Sequence, residues 1–192
     1  MMLRSTNKFQ FILVILIAAI FLAACDELEA LNNNEEAKET ETDNGYTKVT
    51  ADFERVVDGD TIIVNLNGEE ESIRLLLIDT PESVHPGEPT QPYGEESSEF
   101  AEEYFDDVDE VELEIGQEER GKYDRLLAHV FVDDENFNKV MVEKGYARVA
   151  FVQEPNTKYI DEFNEAEEEA KEDNKKIWSI DDYVTDRGFN AE

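Results

Sequence analysis

RLLLIDTPE, residues 74–82, holds two kinds of structure in one short stretch. Leu75, Leu76, Leu77 and Ile78 form an apolar run of strand length, as a strand buried on both faces would. Arg74 opens the run. Asp79 and Glu82 close it around Thr80-Pro81, where the proline forces the chain out of the strand. Charges at the ends of a buried strand gain nothing for packing, but a rigid strand fixes them in space, which is what a site requires.

Working outward, residues 48–57 (KVTADFERVV) and 61–66 (TIIVNL) are rich in Val, Ile, Thr and Phe and predict strands, with a tight turn at Asp58-Gly59-Asp60 between them. Asn67-Gly68 is a strong hairpin signal and leads into a third strand over 71–78. A loop over 83–92 carries Pro86, Gly87, Pro89 and Pro92, and a helix follows over 93–105 with Phe100, Tyr104 and Phe105 inward. Strands at 110–115 and 126–132 flank a polar loop, 116–125, that holds Arg120, Lys122 and Arg125. A short helix is expected over 137–144, with Gly145 where a C-cap is wanted. The last helix is expected over 157–174, with Ile160, Phe163, Ala166 and Ala170 on one stripe, and Trp178 packed back on the core. This order predicts an α+β domain: a five-stranded Greek-key barrel of OB type with three α-helices. Such barrels commonly bind oligonucleotides, yet the fold alone does not settle function.

The ends of the chain read differently. Arg4 and Lys8 precede an apolar run, Phe11 to Ala24, that closes as Leu22-Ala23-Ala24-Cys25, the pattern of an export signal. The run is shorter than the ~20 apolar residues that a membrane span needs. Cys25 is the only cysteine, so no intrachain disulfide can form. The leucine-small-small-cysteine pattern resembles the bacterial lipobox, which implies that Cys25 is acylated and becomes the mature N-terminus. An uncleaved N-terminal anchor is the alternative, and either way the domain faces outward. The expected division is 1–24 signal peptide, 25–46 acidic disordered tether, 47–180 folded domain and 181–192 C-terminal tail. The expected location is the extracellular face of a bacterial cell membrane, held by a lipid, with shedding left open.

Net charge is −32, a balance that repels nucleic acid and anionic lipid at low salt. In a salty medium the Debye length falls to ~3 Å at 1 M and that repulsion fades. The acidity therefore describes a habitat more than a substrate.

Against this background the charges at strand ends form a constellation. Asp60 closes the first turn, and Asp79 and Glu82 close the third strand. Carboxylates with few basic neighbours suit a hard cation with oxygen ligands, and the absence of a His/Cys cluster argues against zinc. Arg74 and Arg125 are planar donors that match a phosphate bidentately. A cation, two arginines and a spare carboxylate are what displacement at a phosphodiester needs. Taken singly, Asp58 and Asp60 could be turn formers, Arg74 a strand-surface cation, and Arg125 a partner of Asp124 or Asp106.

DGDT at 58–61, RLLLIDTPE at 74–82, KYDRLLA at 122–128 and NKKIW at 174–178 resemble the staphylococcal nuclease (thermonuclease) family, in the same order over roughly 48–180. The resemblance implies a Ca²⁺-dependent endonuclease acting on DNA and RNA, which cleaves between phosphorus and the 5′ oxygen and leaves 3′-phosphate ends. It implies Ca²⁺ bound by the Asp60 and Asp79 carboxylates and the Thr80 carbonyl. It also implies Glu82 as general base, and Arg74 and Arg125 clamping the phosphate. Lys122, Tyr123 and Phe151 are then the substrate contacts, and the protein is expected to act as a monomer.

The departures lie in substrate holding. Asp124 stands where the best-known member has Gly, the 83–92 loop carries Glu88 rather than lysines, and Phe151 and Gln153 replace two tyrosines. Phe151 can still stack on a base. Two other readings remain open: a non-catalytic OB module that binds single strands or a protein partner, and a Ca²⁺-sequestering surface lipoprotein.

Overall fold

The computed structural model describes residues 41–43, 45–83 and 90–190. Cys25, the export signal, most of the tether and Glu88 lie outside them. The strands are β1 (Glu41–Asp43), β2 (Tyr46–Asp58), β3 (Thr61–Leu66), β4 (Glu69–Leu75), β5 (Ile78–Asp79), β6 (Glu110–Arg120), β7 (Leu126–Val132), β8 (Glu135–Asn136), β9 (Arg148–Val149), β10 (Val184–Thr185) and β11 (Gly188–Phe189). Three helices interleave with them among the described residues: α1 (Gly94–Tyr104), α2 (Phe137–Glu143) and α3 (Ile160–Glu172).

β2, β3, β4, β7 and β6 bond in that order, and β6 returns to β2, closing the expected five-stranded barrel. All of its pairs are antiparallel except β4 with β7. Closure leaves no free edge among these five strands. Ile62, Ile73, Leu113 and Val130 fill the barrel, while Phe137, Met141 and Phe163 bring α2 and α3 onto it. Asn67 (φ 56°) and Gly68 (φ 87°) make the hairpin turn read from the sequence. Phe163, Ala166 and Ala170 form the buried stripe of α3.

Four local expectations are corrected. The apolar run of the third strand is not continuous: β4 stops at Leu75, Leu77 turns left-handed (φ 67°), and Ile78-Asp79 restart as β5 against β9. The bend stays buried because the Leu76 and Leu77 carbonyls accept from the Asn138 amide and the Ala150 N–H, at 3.0 and 2.9 Å. The expected loop 116–125 is strand as far as Arg120, since the Asn156 amide, far along the chain, bonds both the N–H and the carbonyl of Glu118 (3.2 and 2.9 Å). Trp178 is only half-buried, under the Lys171 ammonium, and Ile177 beside it enters the core. Residues 181–190 are folded as well: Tyr183 is 2% exposed, and β10 and β11 form a hairpin.

Candidate active site

The break between β4 and β5 builds the site. Asp60, at the start of β3, is 7% exposed, and both of its carboxylate oxygens are engaged. Oδ1 accepts from the Thr61 hydroxyl (3.1 Å), and Oδ2 accepts from the Thr80 N–H (3.1 Å) and lies 3.0 Å from Arg74 Nη2. The same Nη2 is 3.8 Å from Asp79 Oδ1. Arg74 is therefore no surface cation: its guanidinium lies between the two aspartates, with Nη1 also donating to the Leu75 carbonyl (3.0 Å). Asp60, Arg74, Asp79 and Thr80 are thereby brought together at one corner.

Asp79 has a second partner that sequence reasoning missed. Arg148 of β9, 9% exposed, reaches Asp79 Oδ2 with Nε (2.9 Å) and Nη2 (2.8 Å). The signal was the one used at Arg74: an arginine set in an apolar run, here Ala147-Arg148-Val149-Ala150. Asp79, Thr80, Arg148 and Glu82 line one cleft of 590 Å³. Glu82 is exposed, and its backbone is pinned by Gln91, whose side-chain oxygen accepts from the Glu82 N–H and whose own N–H donates to the Glu82 carbonyl, both at 3.0 Å. Gly94, which opens α1, makes this possible: a Cβ there would sit 2.3 Å from the Glu82 carbonyl oxygen. The helix thus backs directly onto the segment that carries Glu82.

Arg125 joins the corner through Thr61, whose hydroxyl accepts from Nη1 at 3.4 Å. Its Nε is buried and has no partner among the described residues. Asp124 does not neutralise it. That side chain is 86% exposed, and its carboxylate lies 3.9 Å from Arg120 Nε. Lys122 and Tyr123 are exposed in the same loop, with the ammonium 4.7 Å from the ring centre. Phe151 is 65% exposed, and Arg74 lies 5.3 Å from its ring centre. Gln153 is exposed as well.

Burial and neighbouring carboxylates both act on the acids of this corner. Burial raises the Asp79 carboxyl, the Arg148 charge opposes that rise, and the Asp60 charge adds to it. Asp58, which accepts from the Asp60 N–H at 3.1 Å, is pushed up to about 7 by burial, with the Asp60 charge adding. Among the described residues no three His, Cys, Asp or Glu side chains form a ready-made metal cage. The donors present, the Asp60, Asp79 and Glu82 carboxylates among them, are nonetheless all oxygen. They fit a hard divalent cation that completes its shell with backbone, water and substrate oxygens.

The family model described as Staphylococcal nuclease homologue matches residues 72–180. The chain is 39% identical over 202 residues to Endonuclease YncB of Bacillus subtilis (strain 168), covering 93% of this chain and 95% of that protein. It is 48% identical over 144 residues to SPbeta prophage-derived endonuclease YokF of the same strain, 74% of this chain and 48% of that protein. It is 41% identical over 125 residues to Thermonuclease of Staphylococcus hyicus, 65% of this chain and 73% of that protein.

Proposed function

The chain belongs to the staphylococcal nuclease family, and from that premise we propose that it is a Ca²⁺-dependent endonuclease. It hydrolyses phosphodiester bonds of DNA and RNA and leaves 3′-phosphate and 5′-hydroxyl ends. The observation that carries this reading is the pair of guanidinium groups at the acidic corner. Arg74 is anchored by Asp60, and Arg125 keeps a buried N–H that no described protein group accepts. A buried unpaired donor costs about 1–3 kcal/mol. A phosphate oxygen removes that cost, so the site favours an anionic ligand at this atom.

Asp60, Asp79 and the Thr80 carbonyl would hold Ca²⁺, which when bound withdraws charge from the phosphate oxygens. Arg74 and Arg125 orient the phosphate and offset charge building on its oxygens. Glu82 takes a proton from water as the water oxygen bonds to phosphorus. The bond from phosphorus to the 5′ oxygen breaks, and that oxygen leaves on the Arg125 side and gains a proton. Phe151 and Tyr123 offer rings on which bases stack, and Lys122 adds a positive charge along the strand. In the cell the protein is exported and held at the extracellular face of the membrane by a lipid on Cys25, and it acts as a monomer.

Cleavage of a plasmid and of an RNA in Ca²⁺, its loss in chelator, and 3′-phosphate ends on the products are the expected results. No cleavage at any salt concentration would overturn the enzyme reading and leave a module that binds single strands.

Asp124 supplies a second test. It lies beside Arg125 in a left-handed conformation (φ 61°) that glycine adopts without strain. Asp124→Gly removes one negative charge next to the phosphate clamp. A several-fold rise in kcat/KM at low salt is expected, shrinking as salt screens the charge. Equal kcat/KM for the two proteins at low salt would show that Asp124 does not repel substrate.

A further inference from the structure

The hairpin β10–β11 lies beyond residue 180, outside the segment that the family model matches. It is firmly built. Tyr183, fully buried at its base, donates its hydroxyl to the Pro92 carbonyl at 2.6 Å, on the segment that follows Glu82. Phe189 packs on Tyr183 with ring centres 5.3 Å apart, and the Arg148 guanidinium lies 5.8 Å from the Phe189 ring centre. The Asn190 amide donates to the Asp182 carbonyl at 2.8 Å and closes the loop. One end of the hairpin is thus tied to the Glu82 segment, and the other to the arginine that grips Asp79.

This anchoring makes the hairpin a wall of the cleft. Asp186, Arg187 and Phe189 line it together with Asp79, Thr80 and Glu82 on one segment and Arg148, Val149 and Phe151 on another. Arg187 is exposed, and its side chain makes no ion pair among the described residues. In a chain with 49 acidic and 17 basic side chains, most described cations, Lys48, Arg120 and Lys158 among them, sit on carboxylates, and Arg187 belongs to the minority that do not. An unpaired arginine in the cleft of an acidic nuclease has an evident ligand, since its planar fork matches a phosphate.

We propose that the C-terminal hairpin is a substrate-binding wall, with Arg187 taking a backbone phosphate of the nucleic-acid strand next to the one that is cleaved. The contact is to the backbone, so it adds affinity without reading sequence. Asp186 lines the same wall with the opposite charge and weakens the contact. The inference rests on the nuclease reading of the cleft, and its test is separable from that reading.

Binding of a fluorescein-labelled single-stranded oligodeoxynucleotide is measured by anisotropy in Ca²⁺, in a Glu82→Gln background so that the probe stays intact. Adding Arg187→Ala is expected to weaken binding roughly tenfold and to reduce the slope of log affinity against log salt by about 0.7. Arg187→Lys keeps most of that slope, and Asp186→Asn tightens binding. With Glu82 restored, Arg187→Ala raises KM several-fold and changes kcat far less. An unchanged affinity and slope, or a fall in kcat without a rise in KM, would overturn the assignment. If the unmodified protein cleaves nothing, the catalytic reading fails while the anisotropy series still decides the hairpin.

Discussion

Glu82→Gln is expected to lower kcat by roughly 10²–10⁴-fold, the contribution of a positioned general base, with little change in melting temperature. The side chain is exposed, its backbone is held by Gln91, and glutamine keeps the shape of glutamate, so the substitution removes a charge and little bulk. The sign of the effect is what makes the measurement decisive. Were Glu82 only one more carboxylate on an acidic surface, its neutralisation would help an anionic substrate to bind. A unit charge about 8 Å from a phosphate in water is worth about 0.5 kcal/mol, so Gln would then tighten binding roughly twofold and leave the saturated rate no lower. Loss by orders of magnitude and a modest gain cannot be confused. Single-turnover rates at saturating substrate separate them, and a rate at or above that of the unmodified protein would remove Glu82 from the chemistry.

The corner that holds Glu82 was legible because its residues break local rules. A strand that begins on Arg74 and ends on Asp79 around a proline has no packing reason to carry those charges, and in the structure they meet at Arg74 Nη2. The barrel was legible for the complementary reason: Thr61 to Leu66 and Leu126 to Val132 obey strand preferences throughout. What stayed hidden depends on partners far along the chain. The bend at Leu77 lies inside an unbroken apolar run, where burial looks the same for strand and turn, and it is stabilised from Asn138 and Ala150. Gly116 to Arg120 reads as a polar loop and becomes strand through Asn156. Arg148 carried a signal, an arginine among small apolar residues, but its meaning depends on Asp79 lying opposite in a two-residue pairing too short to predict. The final hairpin is short and polar, and only the burial of Tyr183 reveals that it belongs to the fold.

Lys158→Met is expected to cost about 3–5 kcal/mol, the penalty for stranding a buried charge. Glu114 has no solvent exposure and sits in β6 inside a polar cluster on β2, β6, β7 and the start of α3. Its Oε1 lies 2.9 Å from Lys158 Nζ, and its Oε2 accepts from the Tyr159 hydroxyl at 3.0 Å. Lys158 also reaches Asp43 Oδ2 at 2.8 Å and so ties β1 to the barrel. Burial by itself would lower the Lys158 pKa, yet hydrogen bonds to Asp43 and Glu114 hold it well above the ordinary value. The neighbouring imidazole cannot take over as the cation, because burial, with the Lys158 charge adding, pushes His129 down to about 3. Methionine fills the space of the lysine stem but leaves the Glu114 carboxylate with the tyrosine hydroxyl alone among these partners. Asp43→Asn removes only the exposed arm of the network and should cost about 1 kcal/mol or less. Lys158→Met combined with Glu114→Gln should recover much of the loss, since a neutral amide is far cheaper to bury. Urea unfolding of the three variants gives the comparison. A cost below about 1 kcal/mol for Lys158→Met, or no recovery in the double variant, would mean that water enters to solvate Glu114 and that the ion pair is not what holds this side of the barrel to its N-terminal strand.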